Sequence, residues 1–324
     1  MISISEITQQ LKKVVTNPLL QRKNTVKQPL LTDKEIFDLM LRVQNSKKTA
    51  GYKYDIAHRK LGDVSSIYRG HGMDYEESRH YQAGDDPRYM NWQLTARSGQ
   101  HFMKVFREER QPGVFILIDR RDNMRFGTQQ HLKITQAVIA ATTAAFSAQQ
   151  NNYSVAATIM DKKQQWFKES HSKQSIFDFI HQAAKPAAAV SSKPDSTEPT
   201  LHDTLRTLDA SVTKGTTIYL ISDFHDLDKK SQAVLYSLAS SHPVHALHII
   251  DPSELELPEA GTLSLHKSTL EKTAVINSNE ITVREQYQSL AQNNINRIKS
   301  LFAGCSISYQ QILTTDNIEK LIRL

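Results

Sequence analysis

Cysteine is nearly absent from this chain. Cys305 is the only one in 324 residues, so no internal disulfide can form, and its thiol reads as a small core side chain. No apolar run approaches the roughly 20 residues that a membrane-spanning helix needs. The opening stretch, MISISEITQQLKK, lacks the apolar centre of a signal peptide. The expectation is a cytoplasmic protein without a membrane span. Several catalytic signatures are missing as well. There is no phosphate-cradling Gly-x-x-x-x-Gly-Lys, no Gly-x-Ser-x-Gly elbow and no His-Glu-x-x-His helix. Asp119-x-x-Asp122 is not the Asp-x-Asp of phosphoryl-transferring aspartate enzymes. His58, His71, His80 and His101 lie near one another in sequence, but their spacings fit no zinc motif.

An excess of one charge sign is small. The net charge is +6, and the basic residues are interleaved with acids rather than clustered. That pattern describes a solvated mixed-charge surface and gives no reason to expect a nucleic-acid partner. Hydrophobic residues make up 39% and charged residues 23%, the balance of a globular protein able to build a core.

The texture changes along the chain. Residues 1–112 are polar, with a helix expected after a cap at Asp33 (apolar Ile36, Leu39, Met40 and Val43 follow at helical spacing). Residues 51–112 read as irregular and rich in tyrosine and arginine. From residue 113 to 324 strands and helices alternate. VFILID, TTIYLISD and PVHALHIID are continuous apolar runs, the mark of strands buried on both faces. The segment after Gly127 and Thr128 is an alanine-rich helix. Alternation of this kind implies an α/β domain, doubly wound around a mostly parallel sheet, with an N-terminal helical and irregular extension.

Asp119, Asp161, Asp223 and Asp251 each close an expected strand. In such a sheet ligands bind beyond the C-terminal strand ends. Position alone leaves two readings open, a metal site or helix-capping loop residues.

The densest polar stretch is residues 69–97. It carries Arg69, Gly70, Gly72, Asp74, Tyr75, Arg79, Tyr81, Gly84, Asp85, Asp86, Arg88, Asn91, Trp92, Thr95, Ala96 and Arg97. This run resembles the signature of the family known as domain of unknown function 58, with Asp74 and Asn91 as conservative departures, and VFREERQPGVFILID after it resembles that family's entry into its first sheet strand. Within the run, Arg79, Asp85, Asp86, Arg88 and Arg97 suit internal Arg–carboxylate pairs, or else a surface offered to a partner. Trp92 reads as a core anchor.

The resemblance implies a von Willebrand factor A-like domain from about residue 113. It also implies a MoxR-type AAA+ ATPase as partner and a non-enzymatic adaptor role in the assembly or activation of protein complexes. Many such domains hold Mg²⁺ through Asp-x-Ser-x-Ser, a distant Thr and a distant Asp. Carried over residue by residue, the ligand set would be Asp119, Asn123, Thr200 and Asp223. The pattern is degenerate. Arg121 stands where the first serine belongs, and a guanidinium has no lone pair to offer a cation. The threonine position itself falls on Pro199, one residue before Thr200. Magnesium is therefore not expected as a cofactor, and Arg121 is expected to pair with Asp119 or Asp223 in its place. A metal-dependent phosphohydrolase or nuclease using the strand-end carboxylates is the alternative.

Overall fold

Strand β3, Gly113–Asp119, is buried along its whole length because it has neighbours on both edges and helices on both faces. Val114, Ile116 and Ile118 join one hydrophobic cluster, while Phe115 and Leu117 join the other, the two-residue alternation of an extended chain. Its surroundings come from a computed structural model that describes residues 29–49, 73–82, 84–108, 113–187, 198–266 and 273–317.

The sheet has six strands in the order β10–β7–β6–β3–β4–β5. They are β3, β4 (Ser154–Met160), β5 (Gln164–Ser170), β6 (Thr217–Ser222), β7 (Val244–Ile250) and β10 (Ser308–Leu313). All neighbouring pairs are parallel except β4 with β5. Helices α1 (Asp33–Thr49), α3 (Lys133–Gln150) and α4 (Lys173–Ala184) bury their apolar residues in the cluster on one face. Helices α5 (Leu201–Ser211) and α6 (Ser231–Ser241) bury apolar residues in the cluster on the other, as does α8 (Ile281–Gly304) through Ile298 and Phe302, while its Tyr287 packs with Leu257 in a small separate cluster. This is the doubly wound α/β arrangement expected from the alternation. Helix α3 is buried over most of its length, and its run of alanines allows that close approach. Cys305 is buried in the second cluster, as expected.

Three features differ from the sequence expectation. The chain divides into one compact unit of Met1–Tyr52 with Pro112–Leu324 and a second of Lys53–Gln111, so 1–112 is not one region. Helix α1 goes with the sheet because Ile36, Leu39 and Val43 are buried in its first-face cluster, and the Leu30 amide donates to the carbonyl of Ala184 at 2.8 Å. Residues 51–112 are not irregular where they are described. They contain an antiparallel hairpin of β1 (Met73–His80) and β2 (Phe102–Glu108), with a short helix α2 (Trp92–Ser98) in the connection. Finally, β8 (Thr262–His266) and β9 (Thr273–Asn277) form a separate hairpin after the one-turn helix α7 (Pro252–Leu255). Among the described residues no helix is long and apolar enough to cross a membrane.

Candidate functional site

In this strand order the connections from β3 run outward to β4, and those from β6 run the opposite way to β7. The crevice beyond the C-terminal ends of β3 and β6 is therefore the topological switch point, where open α/β sheets bind ligands. Asp119 closes β3, and Ser222 with Asp223 closes β6.

A guanidinium fills that crevice. Arg121 Nε and Nη2 donate to Asp119 Oδ1 and Oδ2 at 3.0 and 2.8 Å. Its Nη1 and Nη2 also donate to Asp226 Oδ2 and Oδ1 at 2.5 and 3.0 Å. One planar fork thus serves two carboxylates, a geometry that only arginine offers. Asp119 accepts as well from the Ser222 hydroxyl at 2.7 Å and from the Arg121 amide at 3.0 Å. Asp226 accepts from the Leu201 amide at 3.1 Å, which ties the start of α5 to the same cluster. Asp119 is 0% and Arg121 5% exposed. Burial opposes the charge on Arg121, but attraction from Asp119 and hydrogen bonds to both carboxylates prevail and raise its pKa. Burial likewise opposes ionisation of Asp226, yet the hydrogen bond from Arg121 and the nearby charges bring its pKa down to about 2.

The expected second partner of Arg121, Asp223, is engaged elsewhere. Lys133, 0% exposed at the start of α3, donates to Asp223 Oδ2 at 2.7 Å and to Glu254 Oε1 at 2.8 Å. His225 Nδ1 lies 2.8 Å from the other Asp223 oxygen. Burial alone would depress the lysine, but its two carboxylates raise its pKa instead. Between Asp223 and His225 sits Phe224, buried at a φ of 50°, a left-handed backbone that a bulky residue rarely adopts. The Phe224 ring stands edge-on to Phe302 and His248, with centroids at 4.9 and 5.6 Å. The turn therefore aims Asp223 toward Lys133, leaving Asp226 as the residue that reaches Arg121.

The outer carboxylates follow the same pattern. Arg125 donates to Asp122 at 2.6 Å and to Asp161 at 2.8 Å. Arg120 pairs with Asp161 at 3.4 Å and donates to the carbonyls of Gln182, Ala183 and Lys185, placing positive charge at the C-terminus of α4, where the helix dipole favours it. Asp251 alone is a helix cap. It forms a capping box with Glu254 on α7 and accepts from Thr128, Ser253 and Thr314. The loop that brings Thr128 there needs Gly127, since a Cβ would run into the backbone of His131.

The magnesium ligand set does not fit this geometry. The Arg121 guanidinium takes up both carboxylate oxygens of Asp119. The Thr200 hydroxyl caps α5 and is spent on Asp203, accepting from its amide at 3.1 Å and donating to its carboxylate at 2.7 Å. Asp223 faces Lys133. Asn123 lies half-buried in the turn Asp122–Met124. Among the described residues no group of three or more His, Cys, Asp or Glu is arranged to hold a metal ion. Sequence reasoning missed Asp226 and Lys133. Asp226 lies in a polar loop, HDLDKK, and Lys133 in a helix start, and neither position carries a signal.

In the hairpin unit, Arg79 grips Asp85 through two hydrogen bonds of 2.8 and 2.6 Å, raising the arginine pKa and lowering that of the acid, in both cases mainly through their hydrogen bond. Asp86 caps the turn Pro87–Tyr89 and meets Arg88 at 3.2 Å. Asn91 caps α2, and its amide donates to Ser78 at 2.9 Å. Two expectations fail here. Trp92 is not a core anchor but 65% exposed, because α2 turns Leu94 and Thr95 inward and leaves position 92 outward. Arg97 is exposed and joins no ion pair among the described residues. Asp74 lies in β1, opposite Arg107, and Arg69 falls outside the described residues.

Residues 77–297 match the family described as "Protein of unknown function DUF58". Among curated proteins the chain is similar to the uncharacterized protein Mb1516 of Mycobacterium bovis and the uncharacterized protein Rv1480 of Mycobacterium tuberculosis, 26% identical to each over 204 residues. The match covers 63% of this chain and 63% of each relative. Among solved structures it is similar to the conserved hypothetical protein BatB from Bacteroides thetaiotaomicron, at 11% identity and a TM-score of 0.40. That match covers 65% of this chain and 96% of the other. A second is an aerotolerance-related membrane protein from Bacteroides fragilis, at 14% identity and 0.42, covering 65% and 95%.

Proposed function

The chain belongs to the DUF58 family of proteins of unknown function, and on that premise we propose that it is a non-enzymatic adaptor, a cytoplasmic partner of a MoxR-type AAA+ ATPase in the assembly or activation of protein complexes. The observation that carries the reading is the Arg121 fork between Asp119 and Asp226. It plugs the crevice where a doubly wound sheet would take a substrate or a cation. Three of the four strand-end aspartates are neutralised by this chain's own arginines and lysine. A carboxylate held this way is a poor general base and a poor metal ligand, which weighs against a metal-dependent phosphohydrolase or nuclease. The missing phosphate loop supports a chain that relies on a partner for nucleotide chemistry. The von Willebrand factor A-like character and the ATPase partner come from the sequence resemblance.

The test is affinity capture of the tagged chain together with an AAA+ ATPase encoded beside it, followed by an ATPase assay on each component. The reading expects a stable complex and ATP hydrolysis by the ATPase alone. Hydrolysis of ATP or of a phosphodiester by the isolated chain, abolished by Asp119→Asn, would overturn it.

A further inference from the structure

Trp92 stands on an outward face of a helix whose position is fixed from several sides. Asn91 caps α2 and is anchored to Ser78 on β1. The Thr95 hydroxyl accepts from the Phe102 amide on β2 at 3.0 Å. Gly99 ends the helix in the left-handed conformation at φ 68°, its amide bonded to the Thr95 carbonyl. With α2 held this way, Leu94 and Thr95 turn toward the hairpin, while Trp92, Gln93, Ala96 and Arg97 are exposed together. Helical spacing puts Trp92 beside Ala96 and Gln93 beside Arg97 on one continuous face.

Among the described side chains of this unit, the exposed charge is mainly positive. The acids of the connection are consumed internally, Asp85 by Arg79 and the Gln82 amide, and Asp86 by its turn. The cations are not. Arg97 and Lys104 are exposed, and the Arg88 side chain is 74% exposed beyond its contact with Asp86. Lys104 stands opposite Ser78 across the ladder and so shares the hairpin face on which Asn91 is anchored.

We propose that this face docks an acidic segment of a partner protein, with an apolar socket for the Trp92 indole bordered by carboxylates that meet Arg97, Lys104 and Arg88. Tryptophan and arginine are the residues most enriched where a few side chains dominate an interface, and a rim mainly of one charge sign selects the opposite sign in its partner. A single-stranded nucleic acid fits less well. Its platforms align several open rings along a basic groove, whereas among the described residues of this unit the other exposed aromatic, Tyr81, stands edge-on to His101, at 6.4 Å and 79°. The inference rests on the reading of the chain as a protein adaptor, but not on the identity of the ATPase.

The test is photo-crosslinking of the full chain in its host, with p-benzoylphenylalanine at position 92 and, separately, at 96 on the same face. Position 236 serves as the control, since Tyr236 is exposed on α6 in the sheet unit. The expected result is a protein adduct from 92 and 96 but not from 236, with a crosslinked peptide of net negative charge. Adding Arg97→Glu should cut its yield about tenfold, as for loss of roughly 1.4 kcal/mol, with the melting temperature unchanged. An adduct to an acidic segment of any protein, AAA+ ATPase or not, would support this surface, and the capture and ATPase assays above decide the partnership separately. Adducts to RNA or to neutral or basic peptides, a yield indifferent to Arg97→Glu, or no adduct from either position would overturn the surface itself.

Discussion

Arg121 and Asp226 lie 105 residues apart in sequence and meet fork to fork, with Nη1 2.5 Å from Oδ2 and Nη2 3.0 Å from Oδ1. Through Arg121 the loop after β6 is joined to the end of β3, and the amide of Leu201 adds α5 to the same carboxylate. Three elements on both sides of the switch point are thus held by one side chain.

Removing that side chain leaves a buried charge uncompensated. Arg121→Met should destabilise the protein by about 3–5 kcal/mol, because Asp119 keeps only the Ser222 hydroxyl and a backbone amide. Arg121→Lys should recover less than half of the loss, since a single ammonium cannot serve both carboxylates in a plane. Urea unfolding of the three proteins gives the comparison. A loss below 1 kcal/mol for the Met variant would mean that the pair is an exposed contact of little value.

The Asp226 pKa of about 2 has a definite signature. A carboxyl whose folded pKa lies below its unfolded value near 3.9 stabilises the protein above that value. The contribution fades as pH falls through the folded pKa. Between about pH 4 and pH 2 the unmodified protein should therefore lose about 2 kcal/mol more stability than Asp226→Asn. Parallel stability curves for the two proteins across that window would contradict the assignment.

The sheet was legible because four of its six strands, β3, β4, β6 and β7, are continuous apolar runs, each stopped by an aspartate at 119, 161, 223 or 251. The pairing of those aspartates was only half legible. Arg121 sits two residues beyond Asp119, so its contact is local. Asp226 and Lys133 are ordinary charged residues in a loop and a helix start, and only the turn at Phe224 decides which acid meets which cation. The β1–β2 hairpin escaped notice because MDYEESRH carries almost no apolar residue on either face, so neither period stands out. Trp92 was misjudged for a related reason. An aromatic in a polar run suggests an anchor, and only the seating of α2 on the hairpin decides which way it points.

Lys133 is the hub of the second cluster. Lys133→Met should cost about 3–5 kcal/mol, because Asp223 and Glu254 then face each other without a cation. Adding Asp223→Asn should restore part of that loss, as expected for residues in one network. Strict additivity of the two substitutions in equilibrium unfolding would show that they are independent.

The left-handed backbone at Phe224 makes an unusual ordering. Either truncation loses the contacts with Phe302 and His248, at about 3–5 kcal/mol. Glycine, however, adopts a positive φ without strain, and alanine does not. Phe224→Gly should be about 1 kcal/mol more stable than Phe224→Ala, reversing the usual preference for alanine. A more stable alanine variant would show that the turn relaxes once the ring is gone.

The central claim is that this chain carries its own cation at the switch point. The most direct measurement is the melting temperature of the unmodified protein as Mg²⁺ or Mn²⁺ is raised from zero to millimolar concentrations at constant ionic strength. A ligand that binds only the native state must raise it, by RT ln(1 + [L]/Kd) in free energy. With the Arg121 guanidinium between Asp119 and Asp226, the melting temperature should stay unchanged. A saturable rise with either cation, lost in Asp119→Asn, would show that a metal displaces the arginine and that the account is wrong.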